Sequence, residues 1–334
     1  MAGLAGVSAM TVSRVINGQS NVRAATREAV SEAIRRLNYA PNPAARSLAG
    51  AGQPKIALLY SNPSAGYLSE FLVGSLDQGA RSDVQLIVEK CDIGDHEVEV
   101  ARHLIERGID GIILPPPLCD SAAVLEVLTE AGVPTVVVAT GSPPEHLLAV
   151  TIDDHQAAYT MTRHILSLGH RRVGFIVGET NQTASARRLE GYRAALREAG
   201  LAADDALIAP GRFTYRSGLD AAERLLDHAE PPTAIFASND DMAAATVAVA
   251  HRRGLDVPGD VTVCGFDDTT LAIAIWPELT TIHQPIADMS RAAVEMLVAA
   301  IRGGGVASRH RLLDFTLVRR QSDAAPRRRP RTDA

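Results

Sequence analysis

Lysine is almost missing from this 334-residue chain. Only Lys55 and Lys90 occur, and neither follows the glycine-rich spacing of a phosphate-cradling loop, so that class of nucleotide hydrolase is excluded. No G-x-G-x-x-G fingerprint for a dinucleotide is present either. Cysteine is scarce: Cys91, Cys119 and Cys264 lie far apart, with no Cys-x-x-Cys pair to hold zinc or run redox chemistry. An odd count of this kind suits a reducing compartment better than a disulfide framework. None of the ten histidines stands four residues from another, so the spacing of a zinc-binding helix is lacking and no metal is expected. No apolar run approaches the ~18–20 residues that a membrane-spanning helix requires. Residues Met1 to Ile16 are mostly small and apolar, but they have no basic start, and Thr11, Ser13 and Arg14 interrupt them, so they do not read as an export signal. A cytoplasmic location is the expectation. With 26 glycines and 18 prolines the chain is also close to background in both, which removes collagen-like and low-complexity readings.

What is present is 46% apolar sequence, ample for more than one core, at a length that suggests two or three domains. The net charge of −6 hides an asymmetry. Residues 1–50 sum to +4, residues 319–334 also to +4, and the middle of the chain is left at −14. A basic head on an acidic body fits a small polyanion-binding module attached to a larger domain, although solvated faces produce such imbalances too.

From Lys55 onward, short apolar runs alternate with helical periods. The pattern predicts strands at 56–60, 84–88, 111–114, 134–138, 173–177, 206–209, 233–237 and 261–265. Helices are predicted near 68–81, 96–107, 121–131, 155–168, 184–199, 215–228, 240–253 and 286–302, several of them stopped by a glycine such as Gly108, Gly132 or Gly200. This is an α/β pattern with parallel strands, some buried on both faces. About 260 residues of it exceed one open sheet of comfortable size, so two doubly wound parallel-sheet subdomains flanking a cleft are expected.

Before Lys55 no strand is visible. Ser8 reads as a helix N-cap, after which Val12, Val15 and Ile16 share one face while Met10, Ser13, Arg14 and Asn17 take the other. A second helix from about Ala24 to Leu37 would bury Val30, Ala33, Ile34 and Leu37. The head is therefore all-α, with a helix-turn-helix arrangement. In the stretch that follows, Asn42 can cap, Pro43 suits a first helical position and Gly50 can stop a short hinge helix, which is too short to hold itself together unaided.

The stretch Ala5-Gly6-Val7-Ser8-Ala9-Met10-Thr11-Val12-Ser13-Arg14-Val15-Ile16-Asn17, followed by Thr26-Arg27, Leu37-Asn38-Tyr39-Ala40-Pro41-Asn42 and Ala45-Arg46-Ser47-Leu48, resembles the head and hinge of the LacI/GalR family of bacterial transcriptional regulators. The body carries family landmarks in the same order: Leu168-Gly169-His170-Arg171-Arg172-Val173, Arg188-Leu189-Glu190-Gly191-Tyr192, Ser238-Asn239-Asp240, Gly265-Phe266-Asp267-Asp268 and Leu279-Thr280-Thr281-Ile282-His283-Gln284-Pro285. The likeness spans nearly the entire chain.

The resemblance implies a homodimeric repressor that binds a near-palindromic operator in double-stranded DNA, with a body folded like type I periplasmic sugar-binding proteins. Its domains would be a head at 1–41, a hinge at 42–53 and an effector-binding body at 54–322. Within the body, one subdomain would take about 54–153 plus 285–311 and the other about 154–281 plus 312–322. Residues 323–334 would form a disordered basic tail. Because residues 322–334 are rich in Ala, Pro and Arg instead of a leucine repeat, a dimer is expected over a tetramer. The helix beginning at Ser8 would enter the major groove with Ala9, Met10 and Arg14 near base edges; Arg can donate twice to guanine, whereas Ala and Met offer apolar contact. Ser8, Thr11, Ser13, Asn17, Asn21 and Thr26 would bond phosphates and set register. In the hinge, Asn42, Ala45 and Leu48 match DNA-contacting positions, and Leu48 would wedge into the minor groove. Leu48→Ala is accordingly expected to weaken specific operator binding far more than non-specific binding; equal losses in a salt-matched titration would contradict the wedge.

Two departures from the family pattern stand out. Met1 lies where a Val is common and the first helix is shortened, which points to a start further upstream. Arg23 replaces a usual Ser cap, removing a side-chain acceptor from that helix start.

For the effector, the resemblance assigns Arg188, Asn239 and Asp267 to hydrogen bonds, Phe213 to stacking, and Ser61, Tyr67, Phe71 and Gln284 to the walls. Charged and amide groups can bond adjacent hydroxyls and an aromatic face suits a pyranose, so a sugar fits. Ala139 stands where many relatives have an acidic residue. The pairs Asp153-Asp154, Asp240-Asp241 and Asp267-Asp268 could be read as catalytic carboxylates, but the first two precede helices and capping accounts for them. No catalytic residue, cofactor or metal is expected, and the chain does not read as an enzyme. An exported sugar-binding protein or a regulator with a non-sugar effector are the alternatives.

Overall fold

Strands in which every residue is buried set the architecture of residues 54–334. The computed structural model describes residues 2–16, 22–37, 53–92, 94, 96–305 and 308–327. They fall into two units, Met1–Gln53 and Pro54–Ala334.

In the first unit, α1 (Ala2–Ala5), α2 (Ala9–Ile16) and α3 (Ala24–Arg36) surround a small apolar centre that includes Val12, Val30 and Ala33. Ser8 starts α2 by accepting the Thr11 backbone N–H at 3.2 Å, which satisfies a donor that the helix itself cannot. Arg23 makes no such bond at the start of α3. Leu37 departs from expectation. It sits one residue past the end of α3 and is 50% exposed, because the helical stripe that would have buried it stops at Arg36.

The second unit holds two sheets, each built on parallel strands. In the first, β1 (Lys55–Tyr60), β2 (Gln85–Lys90), β3 (Gly111–Leu114), β4 (Thr135–Val138), β5 (Leu148–Thr151) and β11 (His310–Leu312) lie in the order β11-β5-β4-β3-β1-β2. In the second, β6 (Val173–Val177), β7 (Ile208–Pro210), β8 (Ala234–Ala237), β9 (Thr262–Asp267), β10 (Thr280–His283) and β12 (Thr316–Val318) lie in the order β12-β10-β9-β8-β6-β7, with only β12 antiparallel to its neighbour. Helices cover the sheets: α4 (Ala65–Arg81), α5 (Glu97–Glu106), α6 (Ala122–Glu130) and α12 (Ile286–Ile301) belong with the first, and α7 (Asp154–Ser167), α8 (Thr183–Glu198), α9 (Tyr215–Leu226), α10 (Asp240–Arg252) and the short α11 (Thr270–Ala274) with the second. Strands β3, β4, β5 and β8 are buried along their whole length, as sheets covered on both faces require. All eight expected helices of this unit and all eight expected strands are present, within a few residues at their ends. Strands β5, β10, β11 and β12 carry three or four residues each and had no pattern long enough to read.

The chain crosses between the two lobes three times, between β5 and α7, β10 and α12, and β11 and β12. Within the second lobe, two helices press close. Gly191 on α8 lies against the backbone of α7, and an added Cβ would stand 2.1 Å from the His155 carbonyl oxygen, so only glycine fits.

The expectation of a disordered tail from residue 323 needs correction. The Asp323 carboxylate is buried and bonded by His164 at 2.8 Å and by the Thr280 hydroxyl. Burial alone would raise its pKa, but those bonds outweigh it and hold the group below the usual value. The Ala324 carbonyl oxygen accepts from His170 and Thr262, and Arg327 pairs with Asp256 and Asp260 at 3.0 and 2.8 Å. Residues 323–327 thus close the second lobe, while 328–334 lie outside the described residues.

Candidate functional site

In an open parallel sheet, strand order reverses at one point, and the loops leaving the two strands there diverge to form a crevice. Both lobes have this point. In the first it lies between β1 and β3, in the second between β6 and β8, and the four loops that follow these strands face one shared, constricted cavity, with an enclosed volume of about 30 Å3 within about 410 Å3 of non-atom space that includes open solvent. Asn62, Pro63 and Ser64 follow β1, Pro116 follows β3, Gln182 follows β6 and Asn239 follows β8. Tyr67 on α4, Ala139 after β4, Arg188 on α8, Phe213 before α9, Asp267 at the end of β9 and Gln284 after β10 complete most of the wall.

Six of the eight residues expected at an effector site are brought together here: Tyr67, Arg188, Phe213, Asn239, Asp267 and Gln284. Two are not. Ser61 is displaced by the next three residues, which turn into the Ser64 cap of α4 and take the wall position themselves. Phe71, one helical turn beyond Tyr67, is fully buried and stacks beneath that ring, with centroids 6.1 Å apart, as part of the core. Reading by resemblance missed Asn62, Pro63, Ser64, Pro116, Gln182 and Ala184. Their signal was position: all but Ala184 follow a strand at a switch point.

Arg188 is the centre of the cavity's polar framework. Its Nε donates to Asp154 at 2.7 Å, one terminal nitrogen donates to the Ser238 carbonyl oxygen at 2.6 Å, and the guanidinium lies 3.6 Å over the Phe266 ring. Both charges are buried, and burial pushes the Asp154 carboxyl upward against the pull of Arg188. Asn239 caps α10 by accepting from the Met242 N–H at 3.0 Å, and its amide donates to the Phe213 carbonyl oxygen at 3.2 Å, fixing the neighbouring aromatic. The Phe213 ring lies flat on Gly178, where a Cβ would stand 2.0 Å from it. Asp267 is 5% exposed and accepts from the Gln284 amide at 2.9 Å. Burial pushes it well above the usual carboxylate range; Arg188 opposes this and the Asp240 and Asp241 carboxylates add to it.

The acidic pairs divide differently from the capping expectation. Asp153 does cap α7, accepting from the Gln156 N–H at 2.9 Å. Asp240, however, does not cap α10, since Asn239 takes that place. It is fully buried, accepts from the Thr269 N–H and the Thr281 hydroxyl at 2.7 Å each, and is pushed up to about 7 by burial against those bonds.

Strain concentrates at the same place. Five described non-glycine residues have positive φ, and three of them, Ala139 (56°), Phe213 (56°) and Asp267 (106°), line the cavity. Two sets of hydrogen bonds tie the lobes across it. On one side the Asp120 carboxylate, held by the Thr140 hydroxyl of its own lobe at 2.6 Å, accepts from the Thr183 N–H at 2.8 Å, and the Thr183 hydroxyl accepts from the Gly141 N–H at 2.8 Å. On the other, Ser64 donates to Asp241 at 2.6 Å.

In the head, Ser8, Ala9, Met10 and Arg14 are exposed on one side of α2, Met10 by 66%, with Thr11 and Thr26 half-buried. Ser13 lies on the same helix. An Arg14 terminal nitrogen reaches the Met10 sulfur at 3.5 Å, so the two side chains share one outward face. The expected contacts at Asn17, Asn21, Asn42, Ala45 and Leu48 lie outside the described residues, as does the hinge helix.

Comparison with known proteins agrees with both units. Residues 1–42 match the family model described as bacterial regulatory proteins, lacI family, and residues 162–322 match a periplasmic binding protein-like domain. The chain is 36% identical to the HTH-type transcriptional regulator CelR of Thermobifida fusca over 329 residues, covering 96% of each protein. It is 35% identical to catabolite control protein A of Priestia megaterium over 295 residues, covering 88% of this chain and 89% of that protein. Among solved structures, a CelR–cellobiose complex superposes with a TM-score of 0.76 at 34% identity, covering 96% of this chain and 98% of that one. The lac repressor dimer bound to operator and an anti-inducer superposes at 0.78 and 26% identity, covering 97% and 98%. These relatives are named as regulators, not as enzymes.

Proposed function

The chain belongs to the lacI family of bacterial regulatory proteins, and from that premise we propose that the cavity between its lobes binds a sugar effector that controls the grip of the head on an operator. The chain is a DNA-binding transcriptional regulator of the family's ligand-responsive kind, with no helix among its described residues long and apolar enough to cross a membrane. The observation that carries the proposal is the cavity itself. It joins two switch points, and its wall offers amide, carboxyl and hydroxyl groups beside the flat Phe213 ring, a set suited to a pyranose.

In this reading Arg188, Asn239, Asp267 and Gln284 bond hydroxyls, Phe213 and Tyr67 pack against the sugar's apolar side, and Ala9, Met10 and Arg14 meet base edges in the major groove. Leu48, in the hinge, wedges into the minor groove, and the protein works as a cytoplasmic repressor of sugar uptake or breakdown genes. A second copy of the chain completes the binding of a two-fold operator. Exposed Val73 and Leu76 on α4, and Val88 on the edge strand β2, supply apolar surface for it. The effector acts by population shift: it favours one relative arrangement of the lobes, and the hinge transmits that choice to the heads.

Gel shifts with the operator beside its own gene, with and without sugars such as cellobiose, test this directly. The expected result is a change in operator affinity of about 5–150-fold, the usual range of allosteric coupling. A sugar that binds the body yet leaves operator affinity unchanged in either direction overturns the coupling.

A further inference from the structure

The cavity is lined by groups that meet hydroxyls, but among its described lining residues there is no unpaired cation to meet an anion. Among the described lining residues only Arg188 has a positive side chain, and the Asp154 carboxyl 2.7 Å away balances that charge, which leaves its remaining N–H groups for hydroxyls but no net positive charge for an anion. Just outside the wall, Arg187 pairs with Glu190 at 2.7 Å, Arg212 stands 3.6 Å from Glu179, and His283 faces Asp268 at 3.1 Å. The second common way to hold an anion is the N-terminus of a helix, where free N–H groups point outward. Three helices present such ends to the cavity, and each has an acceptor of its own. Ser64 accepts from the Tyr67 N–H on α4, Asn239 from the Met242 N–H on α10, and Asp120 from the Thr183 N–H on α8. The other titratable group in the wall is the Asp267 carboxyl, whose ionisation burial disfavours and the Asp240, Asp241 and Asp154 carboxyls oppose.

Two buried atoms in the wall, the Tyr67 hydroxyl and the Gln284 Oε1, have no hydrogen-bond partner among the described residues. A neutral hydroxyl can accept from the first or donate to the second; a phosphate or carboxylate oxygen can only accept.

Building on the sugar reading above, we infer that the cavity takes an uncharged, unphosphorylated saccharide and rejects its phosphorylated and acidic counterparts. An anion placed there would be a buried charge beside the Asp267 carboxyl, with the nearest cation, Arg188, already paired to Asp154, and a buried charge lacking its own counterion is strongly disfavoured. The regulator therefore reports free sugar, and is blind to the same sugar once a kinase has phosphorylated it or an oxidation has made it an acid.

The test is calorimetric titration of the full chain with matched pairs: cellobiose against cellobionic acid, glucose against glucose 6-phosphate and glucuronate, galactose against galacturonate, ribose against ribose 5-phosphate. Each neutral sugar that binds is expected to do so at least about 100-fold more tightly than its anionic counterpart, the ratio expected of one unpaired buried charge. Gln182→Lys, which adds an uncommitted cation to the wall, is expected to narrow that ratio at least tenfold. Anionic members binding as well as or better than neutral ones would overturn the inference and leave the sugar reading standing. If no member of either set binds to folded protein, the sugar reading fails and this inference with it.

Discussion

Replacing Arg188 by alanine is expected to lower the unfolding free energy of the body by about 3–5 kcal/mol at pH 7, because it strands a buried carboxylate whose partner has gone. Asp154 and Arg188 have side chains 1% and 5% exposed, so water cannot take over the lost bond. The alanine also uncovers the Ser238 carbonyl oxygen and removes the guanidinium from the Phe266 ring. Urea denaturation followed by circular dichroism measures the loss. The pH dependence carries the sign of the cause. In the variant, Asp154 is expected to have a folded-state pKa raised further above its unfolded value. The protonated form then suits the folded state, and stability is lost as pH rises through that folded pKa. The penalty should therefore be smaller at pH 5 than at pH 7. A second variant separates charge from shape: Arg188→Met with Asp154→Leu removes both charges and is expected to recover most of the stability, since a buried ion pair is often replaceable by apolar residues. It is not expected to recover sugar binding. A loss below about 1 kcal/mol for Arg188→Ala would mean that the pair is more hydrated than its burial implies.

How far such a framework could be read in advance depended on the range of the interactions that build it. Local signals were legible. The Ser8 cap, the missing cap at Arg23, and the glycine stops at Gly132 and Gly200, which adopt φ of +65° and +70°, all follow from residues a few positions apart. The alternation of apolar runs and helical periods likewise gave the two-lobed α/β architecture. What was illegible depends on distant partners. Phe71 has the same helical phase as Tyr67, and only the direction in which α4 leaves the cleft decides that one lines the wall and the other supports it. Asp240 looked like a cap because it stands at a helix start; its true partners, Thr269 and Thr281, are 29 and 41 residues away. The tail looked disordered by composition, yet Asp323 finds His164 and Thr280. Asn62, Ser64 and Gln182 belong to short loops whose importance appears only when strand order is known.

Asp120 has no place in any sequence motif, yet its removal is expected to reset the working equilibrium of the protein. Its carboxylate bonds the first N–H and the hydroxyl of α8 through Thr183, and the same helix carries Arg188 into the cavity. These bonds join the lobes only while they are together; when the lobes part, Thr183 and Asp120 can each turn to water. They therefore add to the stability of one arrangement and little to that of the other. Hydrogen bonds to a charged group contribute about 1.5–3 kcal/mol, so Asp120→Ala is expected to lower the ratio of joined to parted arrangements by roughly 10–150-fold. If the effector binds that arrangement, its apparent affinity falls by a similar factor once the joined form is no longer the dominant one. Calorimetry with a sugar that binds the parent chain measures the fall, and small-angle scattering of the unliganded variant should show a larger radius of gyration. Ser64→Ala removes the opposite tie, to Asp241, and is expected to act in the same direction. The decisive comparison is with Thr183→Val: each single change should weaken the ligand, while the double variant with Asp120→Ala should lose much less than the sum, because both remove one shared contact. Unchanged affinity and unchanged scattering in Asp120→Ala would show that the cross-cleft bonds follow lobe closure without driving it.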